Sequence, residues 1–324
     1  MIIKDFKGFN GRHCESSASG CLLKHAGMDI SEPMLFGLGQ GLGFMYWKMS
    51  IMNLPFIGGR SKQFELTRSF CSNMNIELEA RETGSMKKAW SNVAEFVDRG
   101  ISVALQLDCY HLEHFKHAFH FAGHFLCVYG YDDAWAYVMD TGTARKVALE
   151  NLEKARFEKG PMAAKARSWT VSIGKKQPAL KDVIPKAIRP VALEFLNPAI
   201  KAFGYKGIQK LGAEVVNWIE MAPNPKEDLA ESADLMENGG TGGALFRNFY
   251  RDFLKECLDH LPGNQSIKKA HELYRTAAAN WTQIASCIAE AGRTGEKAHL
   301  EKASVLCMET AEAEKKAMEC LCAL

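Results

Sequence analysis

The chain predicts an α+β fold followed by an all-helical region, on three observations. Up to Gly174 the apolar pattern switches between helical and strand periods. Within that half, residues 124 to 140 read as two short apolar strands around a Gly130-Tyr131-Asp132-Asp133 turn. Beyond Lys175-Lys176-Gln177-Pro178 nearly every segment carries the helical period. The expected division is therefore 1–174 and 175–324. Consecutive strands that follow an initial helix fit α+β better than a doubly wound sheet.

Taken in order, residues 14 to 26 read as a helix stopped by Gly27, a residue suited to a left-handed C-terminal position. A glycine-rich run, Gly37 to Gly43, precedes an apolar stretch around Ile51 to Ile57. Helices are expected over 61–73 and 85–99, with extended chain at 76–80 and a strand at 101–107. The hairpin 125–129 and 135–139 follows, then a helix near 147–157 and a strand near 168–173. The helical half reads as 181–196, 206–220, 226–237, 243–260, 265–291 and 294–322, interrupted by Pro223, Pro225, Gly239-Gly240, Pro262-Gly263 and Gly292. No fixed repeat points to a solenoid.

Composition narrows the function classes. The 324 residues are 47% hydrophobic and 24% charged, with a formal charge of +2, which offers no electrostatic case for nucleic acid. No apolar run is long enough for a membrane span. The opening Met1-Ile2-Ile3-Lys4-Asp5-Phe6 lacks the pattern of a secretory signal. Ten cysteines without regular spacing read as thiols of a cytoplasmic protein rather than a disulfide framework.

One cysteine stands apart by its company. Cys14 sits where a helix begins, and the positive end of a helix favours a thiolate. His124 opens a strand and Asp140 closes the next. A hairpin between them would bring the two together, one to take the thiol proton and the other to fix the imidazole tautomer. Asp132 and Asp133 compete for the acid role but lie in the turn, where Asp bonds its own backbone. His13 is a poor base because neighbouring side chains at a helix start diverge.

The histidines at 111, 114, 117, 120 and 124 have spacings that could serve a metal. Gly123 and the strand after it interrupt any helix, however, and neither Cys-x-x-Cys nor His-Glu-x-x-His is present. They read as a loop, with no metal and no cofactor expected. Cys320-Leu321-Cys322 is too short for more than a weak metal motif. The Gly37–Gly43 run has neither the dinucleotide spacing nor a P-loop lysine and reads as a place of close packing. Gly239-Gly240-Thr241-Gly242-Gly243, feeding a helix with Arg247, reads either as an anion-binding loop or as a flexible turn.

These residues carry a family resemblance. His13-Cys14-Glu15-Ser16, then Ser31-Glu32-Pro33-Met34-Leu35-Phe36-Gly37-Leu38-Gly39 and Phe44-Met45-Tyr46, resemble the N-terminal domain of the butirosin biosynthesis protein H family. Gly123-His124-Phe125 through Asp140 is similar both to that family and to bacteriocin-processing cysteine peptidases. Gly242-Gly243-Ala244-Leu245-Phe246-Arg247 and Tyr250 resemble the domain that commonly follows. The resemblance implies a papain-like first domain and acyl transfer in specialised (secondary) metabolism, from a carrier-protein thioester to a small-molecule amine.

Carried onto this chain, the resemblance makes Cys14 the acyl acceptor, His124 the proton shuttle and Asp140 its orienting acid. Papain-type enzymes often place a Gln upstream of the nucleophile; the position here is Gly8. The oxyanion site is therefore expected from the Cys14 N–H and Asn10. His13, Glu32, Asp108, Arg247 and Tyr250 complete the expected oxyanion or substrate-binding set, with Arg247 and Tyr250 on a helical domain that covers the cleft. The expected partners are an acyl carrier protein or other acyl thioester and an amine acceptor, without nucleic acid or membrane; apolar positions on the long C-terminal helices would serve a homodimer as well as a core. The alternatives are a peptidase or amidase using the same triad, and a catalytically silent binding protein.

Overall fold

A computed structural model describes residues 1–49, 52–115 and 119–324. Ile51 and His117 of the sequence reading lie outside the described residues. In chain order the elements are α1 (Cys14–His25), α2 (Glu32–Leu38), β1 (Leu42–Trp47), β2 (Phe56–Arg60), α3 (Glu65–Asn73), β3 (Glu77–Arg81), α4 (Met86–Asp98), β4 (Val103–Leu107), β5 (His124–Tyr131), β6 (Trp135–Asp140), β7 (Thr143–Ala148), α5 (Leu149–Phe157) and β8 (Ser168–Ser172). Then come α6 (Leu180–Leu196), α7 (Gly204–Val215), α8 (Trp218–Met221), α9 (Pro225–Asn238), α10 (Arg247–His260), α11 (Gln265–Thr294) and α12 (Lys297–Leu321). The fold is mixed α+β with antiparallel sheets. No helix among the described residues is long and apolar enough to cross a membrane.

The chain forms two compact units, one of residues 1–35 and 63–178, the other of residues 36–62 and 179–324. The sequence division at 174 did not foresee that residues 36–62 leave the first unit for the second. The reason is local. Strands β1 and β2 pair antiparallel as a hairpin, with Tyr46 opposite Ile57 and Trp47 opposite Phe56. Its outer strand is taken up by the helical unit, where Tyr46 N–H donates to Ala202 O at 2.9 Å and Met45 bridges Phe203.

The first unit is built on a six-stranded sheet of order β3-β8-β4-β5-β6-β7. Val103, Leu105 and Leu107 of β4, Leu126 and Val128 of β5 and Ala136 and Val138 of β6 share a core with Val93, Phe96 and Val97 of α4 and Leu152 and Ala155 of α5. Alternation sends Cys127 the other way, where its free thiol hydrogen-bonds with that of Cys21 of α1. Helix α1 is buried from Glu15 to Leu23. A helix surrounded on all sides has room only for small residues over much of its length, which accounts for Ser16-Ser17-Ala18-Ser19-Gly20.

The second unit packs α11 against α9, α10 and α12, with α7 and α6 along α12. Trp218 and Trp281 are fully buried in it. The glycine-rich run reads here as close packing: a side chain at Gly37 would enter the ring of Phe253. Besides this hairpin and α2, the sequence reading misses β7, an edge strand whose first four residues are exposed, so no apolar alternation marks it.

Candidate active site

Cys14 begins α1, and His13 ahead of it is the N-cap with extended backbone and no side-chain cap bond. A residue from α2 does the capping. Glu32 accepts from Arg12 N at 2.8 Å, from His13 N at 3.0 Å and from the Ser16 hydroxyl at 2.6 Å. Gly11 permits the approach, since a Cβ there would lie 2.9 Å from Glu32 Oε1. Burial pushes the Glu32 carboxyl above its ordinary value against the pull of these donors.

The next residue, Glu15, plays the same part for α3. It accepts from Phe64 N at 3.0 Å and from both the backbone N–H and hydroxyl of Thr67. Phe64 is the α3 N-cap at φ 66° and offers no polar side chain, which also trims the expected 61–73 helix to 65–73. Cys14 retains exposure, whereas Cys21, Cys71, Cys109 and Cys127 of this unit are buried. Burial pushes the Cys71 and Cys109 thiols up to about 12.

The β5–β6 register sets Cys127 opposite Met139. His124 and Asp140 therefore lie diagonally across one end of the hairpin, within side-chain reach. His124 Nε2 is 2.9 Å from Asp140 Oδ2, and the imidazole also bonds the Cys14 side chain, which leaves Nδ1 to face the sulfur. Burial disfavours a charged His124, yet Asp140 and Cys14 outweigh it and raise its pKa to about 10. Burial likewise opposes ionisation of Asp140, and His124 with His114 still hold its carboxyl well below the usual range. The structure thus brings Cys14, His124 and Asp140 into one hydrogen-bonded chain.

A residue the sequence reading set aside also reaches this chain. His114 Nε2 lies 2.7 Å from Asp140 Oδ2, the oxygen that already meets His124. The other described histidines of the stretch find carboxylates too: His111 with Glu158 at 2.7 Å and His120 with Asp108 at 3.4 Å. Asp108 further accepts from Tyr110 N and Phe121 N, so it ties down the loop that carries His114. Its expected role toward substrate gives way to this local one. Asp132 accepts from Ala134 N and Trp135 N, as its turn position implied.

The remaining expected residues divide. Asn10 is exposed and lies against Gly142, two residues past Asp140. A side chain at Gly8 would strike Met139. His13 is buried, and the oxygens of Glu32 are taken up by the cap. Arg247 and Tyr250 belong to the second unit and are wholly buried, which overturns their expected place facing substrate. Arg247 makes a bidentate pair with Glu314, at 2.9 and 3.0 Å, and donates to Leu245 O. Trp281 Nε1 donates to the same Glu314. The guanidinium is a satisfied core charge rather than an anion site.

Residues 13–141, which contain all three members of the chain, match the family model described as butirosin biosynthesis protein H, N-terminal. Residues 150–321, more than half of the chain, match a domain of unknown function, DUF4872. The chain belongs to the butirosin biosynthesis protein H-like family. That membership marks the site-bearing region as an enzyme domain related to butirosin biosynthesis and the chain as one of secondary metabolism. No curated protein matches the chain.

Proposed function

We propose that this protein is a cysteine-dependent acyltransferase with a papain-like first unit, moving an acyl group from a thioester to an amine through Cys14. The observation that carries the reading is the hydrogen-bonded chain Cys14–His124–Asp140 at the start of a buried helix. The Cys14 thiolate adds to the donor carbonyl, and the tetrahedral oxyanion is received by the Cys14 N–H and Asn10. Collapse breaks the donor C–S bond, with His124 delivering its proton to the departing thiolate. An amine then adds to the acyl-cysteine, His124 takes its proton, and collapse releases the amide and restores the thiolate. Asp140 stays ionised throughout and orients the ring.

The donor is an acyl carrier protein or another acyl thioester, and the acceptor a small amine. The test incubates the protein and Cys14→Ala with a panel of acyl thioesters and reads intact mass before and after adding amines. An adduct absent from the variant and discharged by amine supports transfer. Discharge by water alone makes the protein a hydrolase. No adduct with any donor overturns the covalent step.

A further inference from the structure

Asp140 Oδ2 is a shared oxygen, 2.9 Å from His124 Nε2 and 2.7 Å from His114 Nε2. The two rings differ in what their second nitrogen meets. That of His124 has Cys14, while His114 Nδ1 is buried and has no hydrogen-bond partner among the described residues. A proton on that nitrogen would be a desolvated donor with nothing to receive it, a costlier state than a bare lone pair. The ring is satisfied with its single hydrogen on Nε2, donated to Asp140.

The surroundings agree. The groups around the pair are Cys14 on α1, Cys109, whose buried thiol is pushed up to about 12, and the Asp108–His120 contact in the same loop. The Phe115 ring stands edge-on to His124 at 5.2 Å and beside His114 at 4.9 Å, closing the space between the imidazoles with apolar surface. One carboxylate then has one positive charge to balance, and that charge belongs on the ring that meets the sulfur.

We infer that His114 is a positioning residue, a neutral Nε2–H donor that occupies part of the carboxylate oxygen bracing His124 and so sets how firmly His124 holds its proton. Its consequence for catalysis rests on the acyl-transfer reading: an imidazolium braced by the whole of Oδ2 would release its proton to a leaving thiolate less readily. The placement itself does not depend on that reading.

The test reads the histidine ring nitrogens of the full chain by 15N–1H correlation through their carbon-bound protons, from about pH 5 to about pH 12, a range that runs past the His124 midpoint of about 10. In the native protein the ring whose signals vanish in His114→Gln should show Nε2–H with a bare Nδ1 at neutral pH. In His114→Phe, which keeps a ring and removes the donor, the His124 midpoint should rise by about one pH unit. His114→Gln, which can still donate, should hold the midpoint nearer the native value. A purely structural role would lower the melting temperature of both variants and leave the midpoint in place.

A doubly protonated His114 at neutral pH overturns the inference, as does an unmoved His124 midpoint in folded His114→Phe. Should that variant fail to fold, the native spectrum decides. The acyl-adduct measurement is independent of both readouts. A moved midpoint without any adduct would sink the enzyme reading alone, and an adduct with an unmoved midpoint would sink this one alone.

Discussion

Glu15 and Thr67 meet twice, one carboxylate oxygen accepting the backbone N–H at 3.1 Å and the hydroxyl at 3.0 Å. The residue after the candidate nucleophile is thus the cap of another helix. Glu15→Ala should cost about 3 kcal/mol in urea unfolding, because it strands buried donors at the α3 N-terminus. Amide exchange at Phe64 and Thr67 should quicken well beyond that of the sheet.

The His124–Asp140 pair makes stability depend on pH from both sides. His124 holds its proton in the folded state to about 10, against about 6.5 when unfolded, so its contribution is complete below about 6.5 and fades as pH climbs towards 10. Asp140 is shifted the other way, so its contribution is complete above about pH 4 and is lost as the medium turns more acid. Melting temperature should be highest between those limits. Asp140→Asn should remove about 3 kcal/mol there and flatten the alkaline slope.

Glu32→Gln is expected to loosen the turn that delivers Cys14. The amide keeps one acceptor oxygen but brings an N–H₂ group towards the N–H groups of Arg12 and His13. A loss of about 1–3 kcal/mol should accompany a several-fold slower alkylation of Cys14 by iodoacetamide, measured on folded protein.

Gly37→Ala should destabilise the second unit by about 1–3 kcal/mol, since its methyl group would enter the Phe253 ring. Phe253→Leu in the same chain should recover part of that loss. Additive costs in this double-mutant cycle would refute the clash.

Arg247 and Glu314 have no exposed surface. Glu314→Ala should cost about 3–5 kcal/mol by leaving a buried guanidinium without its counter-charge. Replacing both residues with Met and Leu should cost less than the sum of the single changes, read by the same unfolding experiment.

Much of the architecture could be read from the chain because it rests on periodicity. In the 124–140 hairpin β5 is a continuous apolar run and β6 alternates, and α9 and α11 end at Gly. The order of Cys14, His124 and Asp140 could be read for the same reason, since a hairpin converts distance along the chain into adjacency. What escaped depends on partners remote in sequence. Glu32 and Glu15 cap helices they do not begin, and nothing near either residue signals it. His114 sits in an irregular loop, where spacing carries no directional information. Arg247 after a glycine loop looks alike whether it faces an anion or Glu314, and only burial separates the two.

The hairpin Leu42–Arg60 emerges from the ribosome long before Ala202 and Phe203, against which it pairs. The sheet-bearing segment 63–178 is synthesised in between. The second unit therefore cannot close during translation until its first piece has waited through the making of another unit. Cutting the chain after Pro178 would leave that piece on the wrong fragment.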